Sequence, residues 1–109
     1  MVVYNCYDDE DFLRKSTHAI GKKVIYYFYL ETCLSCLRIK PLFDDLCKKY
    51  EETAIVYTYP LYNDDQLTGE AFEVRDVPTF IVMNNGKEVT RHVGAEEDKV
   101  KEIFDTYGR

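Results

Sequence analysis

Two thiols three residues apart, in the stretch Glu31-Thr32-Cys33-Leu34-Ser35-Cys36, are the side chains of this sequence best suited to chemistry. Three uses are open to such a pair: part of a metal's ligand set, a structural disulfide, or a couple that exchanges disulfides with another molecule. The flanking residues bear on the choice. Before the pair runs Val24 to Leu30, VIYYFYL, a continuous β-branched and aromatic segment that reads as a central strand covered on both faces. After it, Ile39, Leu42, Phe43, Leu46, Cys47 and Tyr50 recur at helical spacing. A CxxC between strand and helix sets Cys33 among helix-terminal amides, which stabilise a thiolate and lower its pKa below the free value of about 8.5. Cys36 follows one turn later, within reach of a mixed disulfide at Cys33. One nucleophile and one sheltered resolving thiol are what disulfide exchange requires.

Zinc is the main alternative. Structural zinc sites usually draw on two ligand pairs, whereas this chain has one CxxC, with Cys6, Cys47, His18 and His92 dispersed. No metal is therefore expected. Cys47 falls on the apolar stripe of its helix and reads as a small hydrophobe. Cys6 reads as an inert thiol, with glutathionylation or a dimer disulfide as the other option. The two histidines read as surface residues. The tyrosines, among them Tyr26, Tyr27, Tyr29, Tyr57, Tyr59 and Tyr62, read as sheet and core, with an aromatic patch around the CxxC as the alternative.

The elements that must hold the pair follow from periodicity. Val2 to Tyr4 reads as a short strand. Asp8-Asp9-Glu10-Asp11 opens a helix carrying Phe12, Leu13, Ala19 and Ile20, acidic residues being favoured at a helix N-terminus. Pro41 should kink the helix after the CxxC. Ala54 to Tyr59 gives a strand, and Leu67, Ala71 and Val74 a short helix weakened by Gly69. Thr79 to Met83 and Glu88 to Val93 pair through a hairpin turn at Asn84-Asn85-Gly86. Val100, Ile103, Phe104 and Tyr107 form a last amphipathic stripe, with Gly108 as its stop. The order β-α-β-α-β-α-β-β-α predicts an α/β fold, a central mixed sheet of about five strands flanked by about four helices.

The whole, residues 1–109, reads as one domain. Hydrophobic residues at 46% and charged ones at 31% match a globular chain, and the net charge of −6 argues against nucleic acid, whose phosphates need clustered Lys and Arg. No run approaches the roughly 18 apolar residues of a membrane span, and MVVYNCYDDED lacks the blocks of a signal peptide. A cytoplasmic monomer is expected, in a compartment where a stable structural disulfide is disfavoured.

The strand VIYYFYL, CLSC, Pro41, the motif Val77-Pro78-Thr79-Phe80 and Gly94 together resemble a thioredoxin over nearly the whole length. The resemblance implies the thioredoxin fold, with Cys33 as nucleophile, Cys36 as resolving thiol and no cofactor beyond their redox-active disulfide. It places a cis-proline at Pro78 facing the pair, although an X-Pro bond taken alone is cis in only about 5–6% of cases. It gives Val77 the role of pairing with an extended substrate segment, and puts Thr32 and Gly94 on the same substrate surface. Disulfide-containing proteins are the implied substrates, and a thioredoxin reductase the implied electron donor.

The sequence also departs from that pattern. Leu34-Ser35 stands in place of Gly-Pro, and Thr32 stands where a Trp is typical. Tyr27 occupies the place of a buried Asp, and Thr58 that of its companion Lys. Two readings follow: a thiol-disulfide oxidoreductase, or a binding module of the same fold, like bacteriocin transport accessory proteins, using the pair as a redox-sensitive docking surface.

Overall fold

The computed structural model describes residues 2–19, 21–62 and 66–109. Nine elements follow in the expected order: β1 (Val2–Asn5), α1 (Asp9–Ser16), β2 (Lys23–Tyr29), α2 (Leu34–Lys49), β3 (Ile55–Pro60), α3 (Leu67–Ala71), β4 (Thr79–Asn84), β5 (Lys87–Val93) and α4 (Glu97–Tyr107), with a 3₁₀ turn at Thr17–Ala19. The strands form one mixed sheet in the order β1-β3-β2-β4-β5. β2 runs parallel to β3 and antiparallel to β4, and β1 and β5 are the edges.

Alternation along β2 explains its uninterrupted apolar run, because both faces are covered. Ile25 and Tyr27 join Val56, Phe80 and Val82 in a core with Phe43 and Leu46 of α2 and Val100, Ile103 and Phe104 of α4. Val24, Tyr26 and Phe28 face the other way, joining Tyr57, Tyr59, Ile81 and Phe12 of α1. The second core is largely aromatic: Phe12 lies 5.3 Å from the Tyr26 ring and 5.6 Å from that of Tyr59. Each such side chain removed from water contributes about 1.5–3 kcal/mol.

The start of α1 follows its acidic run: the Asp8 carboxylate accepts from the Asp11 amide at 2.7 Å as the N-cap. Leu13, expected on the apolar face, is 72% exposed. Phe12 supplies the inward face of this eight-residue helix, and Leu13, about 100° further round, falls on its solvent side. Ile20, and the side chain of His18, lie outside the described residues.

The helix α3 also differs from its expected face. Leu67 is exposed and Val74 lies beyond the helix end, while Thr68 and Gly69 are buried. Gly69 serves close packing, since a Cβ there would meet Leu61 Cδ2 at 2.8 Å. The N-cap residue Gln66 supplies no side-chain cap. Asp9 of α1 does so instead, accepting from the amides of Leu67 at 2.8 Å and Thr68 at 3.0 Å and from the Tyr59 hydroxyl at 2.5 Å. Burial pushes the Asp9 carboxyl up, but the bonds from Tyr59, Thr68 and Leu67 together outweigh it and bring its pKa down to about 2.

α2 continues through Pro41, which has no amide to give the preceding turn. The hairpin from β4 to β5 turns on Asn85 and Gly86, with φ of 52° and 79°. Two positive φ values suit the twist of a two-residue hairpin, and Asn and Gly are the residues that tolerate them.

Candidate active site

Cys33 is the N-cap of α2, and its backbone is extended at φ −80° and ψ 117°. Its Sγ accepts from the Cys36 amide at 3.2 Å and lies 3.2 Å from the Ser35 hydroxyl. Burial alone would raise the thiol, but the hydrogen bonds from Cys36 and Ser35 outweigh it and leave its pKa lowered. Cys36, 3% exposed, is the opposite case. Burial, then its hydrogen bond with Cys33, push its thiol up to about 12. One strand-to-helix junction thus makes two unlike sulfurs, one half-exposed and readily ionised, the other sheltered and protonated.

Ser35 was visible in the sequence only as a departure from Gly-Pro; its contact with sulfur was not. A hydroxyl donating to a half-exposed thiolate stabilises it by roughly 0.7–1 kcal/mol. Replacing Ser35 with alanine should therefore lower the thiolate fraction of Cys33 at neutral pH about three- to fivefold, read by thiolate absorbance at 240 nm across a pH titration. An unchanged titration would remove the hydroxyl from this role.

Across from the cysteines lies the Val77–Pro78 bond, which is cis. The Cys33 thiol points to the Val77 carbonyl at 3.7 Å. The loop that carries this bond is held from both sides. Gly94, just past β5, donates its amide to the Pro78 carbonyl at 2.9 Å at a φ of 125° that strains any side-chain-bearing residue. The Thr79 hydroxyl donates to the Asp76 carbonyl at 2.5 Å. Arg91 of β5 donates to the Phe72 carbonyl at 2.8 Å and the Glu73 carbonyl at 3.5 Å, where the chain leaves α3. Arg91 had no signal in the sequence, because its partners are backbone atoms of a distant loop. Thr32, exposed beside Cys33, Val77, Pro78 and Gly94 are thus brought to one end of the sheet.

Beneath the pair, the strand registers align Asn5, Thr58, Tyr27, Phe80 and His92 in one row across all five strands. Tyr27 and Thr58 are therefore direct cross-strand neighbours. The Tyr27 ring is 5% exposed and stacks with Tyr29 at 5.2 Å and Phe80 at 4.7 Å, with Phe43 at 4.3 Å. Its hydroxyl has no hydrogen-bond partner among the described residues. Burial, then the charges of Cys36 and Cys33, push its pKa well above the usual phenol value. Thr58 donates to Asn5 Oδ1 at 2.7 Å. An open groove of about 720 Å³ lies against Tyr27, Thr58 and Cys36 and runs along α2 to Cys47.

The remaining candidates stay apart. Cys47 and Cys6 are buried, and burial pushes their thiols up to about 12 and about 11. His92 is not simply a surface residue: its ring is largely covered, and Nε2 lies 2.8 Å from Glu96 Oε1 without hydrogen-bond alignment. Among the described residues, no three His, Cys, Asp or Glu side chains are spaced to hold a metal ion, and no helix is long and apolar enough to cross a membrane.

A CxxC whose first sulfur caps a helix, faced by a cis X-Pro bond at the end of a mixed sheet, defines a centre for thiol-disulfide exchange. The thioredoxin family model matches residues 5–106, and the chain belongs to the thioredoxin family. Chicken (Gallus gallus) thioredoxin is 33% identical over 87 residues, covering 79% of this chain and 81% of the relative. Thioredoxin-1 of Drosophila yakuba is 29% identical over 94 residues, 86% of this chain and 87% of the relative. Among solved structures, reduced thioredoxin of Schistosoma mansoni superposes with a TM-score of 0.82 at 28% identity, over 98% of this chain and 99% of that one. The chain is a thioredoxin-like thiol-disulfide oxidoreductase, an enzyme acting on protein disulfides. The accessory-module reading is not favoured by these relatives.

Proposed function

We propose that the chain, working as a single-domain monomer in the cytoplasm, reduces protein disulfides through Cys33 and Cys36, with Thr32, Val77, Pro78 and Gly94 forming the groove that receives the client. The unlike ionisation of the two sulfurs carries this reading. Cys33 as thiolate attacks one sulfur of a client disulfide; that S–S bond breaks, and the departing client thiolate takes a proton from solvent. Cys36 then gives its proton to solvent, attacks Cys33 Sγ in the mixed disulfide and expels the second client thiolate. Two electrons have passed to the client, and Cys33–Cys36 is a disulfide. No bound cofactor takes part. A partner of the thioredoxin reductase class, the donor general to this family, returns two electrons.

The contact of Val77 with Cys33, in a loop braced by Gly94 and Thr79, supports its place beside an extended client segment.

Insulin reduction driven by dithiothreitol tests the activity. The wild-type chain should accelerate it, and Cys33→Ser should fall to the uncatalysed rate; no acceleration by the wild type would refute the reductase reading. The roles are separable by brief iodoacetamide treatment at neutral pH. Cys33 should be labelled well before Cys36, Cys47 or Cys6, and labelling of Cys36 first would reverse the assignment.

A further inference from the structure

The client groove just described lies on the β4/β5 side of Cys33. The topology places a second, aromatic surface on the other side. β1, β3 and β2 run parallel, so their C-terminal ends emerge together at the end of the sheet that carries the CxxC. Beyond β1 lies Tyr7, beyond β3 lies Tyr62, and β2 ends at Tyr29, just before Leu30, Glu31 and the cysteines.

These side chains share one neighbourhood. The Tyr29 phenol is raised by burial, then by the charges of Tyr62, Glu31 and Tyr7. The Leu61 amide donates to the Tyr29 carbonyl at 2.9 Å, tying the chain before Tyr62 to β2. Tyr7 is anchored on its own side, its amide donating to Asp11 Oδ2 at 3.0 Å and its ring lying 5.5 Å from Lys15 Nζ. Despite this anchoring, Tyr7 is 63% exposed and Tyr62 56%. Leu37, 51% exposed, continues the surface along α2, where the groove opens between Tyr29, Leu30 and Glu31. Exposed apolar side chains gathered in one place, rather than scattered singly, mark an interaction surface.

We infer that Tyr7, Tyr29, Tyr62 and Leu37 form a docking wing for the disulfide-bearing protein client, receiving an apolar or aromatic stretch on one side of its reactive cysteine. The occupant follows from continuity, since the wing runs through Leu30 and Glu31 into the CxxC that the client must reach. A client bonded to Cys33 has its chain on both sides of the cysteine, and the Val77 side accommodates only one of them. Glu31 and the net charge of −6 favour clients with a basic residue beside that apolar stretch. A small disulfide, with no chain to lay down, gains nothing from the wing.

This inference rests on the proposed attack by Cys33, and the test separates the two. In a Cys36→Ser background the attack step is read alone, whichever way electrons flow in turnover. Stopped-flow rates of mixed-disulfide formation are measured with insulin and with 5,5′-dithiobis(2-nitrobenzoate), before and after adding Tyr7→Ser and Tyr62→Ser together. Thermal melts verify that these exposed substitutions leave the fold intact. The expected result is a five- to tenfold slower reaction with insulin and an unchanged one with the small disulfide. An unchanged insulin rate would overturn the wing. So would equal slowing with both reagents, which would place the effect on the Cys33 thiolate itself. If the parent Cys36→Ser chain forms a mixed disulfide with neither reagent, the proposed role of Cys33 fails, and the wing falls with it.

Discussion

Replacing Cys36 with serine should leave the chain covalently joined to its clients and lower turnover by at least about a thousandfold at millimolar external thiol. The size follows from what Cys36 supplies: an attacking sulfur one helical turn away, whose effective concentration far exceeds that of any thiol in solution. No other cysteine can take its place. Cys47 lies on the same helix about 16 Å further along at 1.5 Å per residue, and both it and Cys6 are buried. Serine preserves the size of the side chain at a site that is 3% exposed, so the fold should survive. Denaturing gels without reductant should show mixed-disulfide adducts that dithiothreitol dissolves. Turnover near the wild-type rate would mean that the two-cysteine mechanism is wrong.

Replacing Tyr27 with aspartate should produce a large loss of stability made of two separable parts. The first is independent of pH. Removing a ring packed among Tyr29, Phe43 and Phe80 costs about 3–5 kcal/mol, as for other large-to-small core changes. From the sequence alone the loss would be expected to be small near pH 4; the stacked ring adds this constant cost. The second part comes from the carboxylate. A buried Asp has its folded pKa raised above the unfolded value of about 3.9, so below that value it adds no penalty. The penalty grows as pH rises through 3.9 and levels off above the folded pKa, because the native state holds a proton the unfolded state has released. Tyr27→Asn isolates the first part. Urea melts from pH 4 to pH 8 should show Asp and Asn variants converging at the acid end and diverging by a few kcal/mol at the basic end. Where that Asp is ionised it can accept the proton of Cys36, so release of a mixed disulfide should be faster than in the Asn variant. Tyr27→Phe should stay within about 0.5 kcal/mol of wild type, its hydroxyl having no hydrogen-bond partner among the described residues. A pH-independent gap between Asp and Asn, with equal release rates, would show that position 27 does not communicate with Cys36.

The sequence was most readable where a pattern is repeated locally. All five strands, the strand-CxxC-helix junction and the Asn-Gly hairpin follow from short-range signals, and β2 could be recognised as doubly covered because its apolar run never alternates. The family resemblance supplied the cis bond, which local preference would have assigned as trans. What escaped was either too short to carry a period or made between distant residues. In α1 Phe12 is buried and Leu13 exposed, and eight residues show too little of the helical period to tell which of two adjacent apolar residues faces inward. Five residues of α3 cannot establish a face: Thr68 and Gly69 are buried there, while Phe72 and Val74, past the helix end, pack against the second core. Ser35 against Cys33, Arg91 on the carbonyls of Phe72 and Glu73, and Asp9 on α3 depend on the finished fold. Position 58 is instructive in the other direction: matched to the family Lys by order along the chain, Thr58 proves to sit directly beside Tyr27 because the strand register puts it there.

The carboxylate of Asp9 ties the fate of one helix to another. A five-residue helix has too few internal bonds to stand alone, and its first amides, those of Leu67 and Thr68, are held by a residue of α1. For either amide to meet a solvent deuteron, that bond must open, so the two helices should behave as one cooperative unit in native-state hydrogen exchange. Slow exchange at Leu67 and Thr68 would thus report the anchorage of α1 on the sheet rather than any strength of α3. In Asp9→Ala these amides should exchange at nearly the rate of a free chain, while those of β2, bonded on both sides, keep the protection of the whole fold.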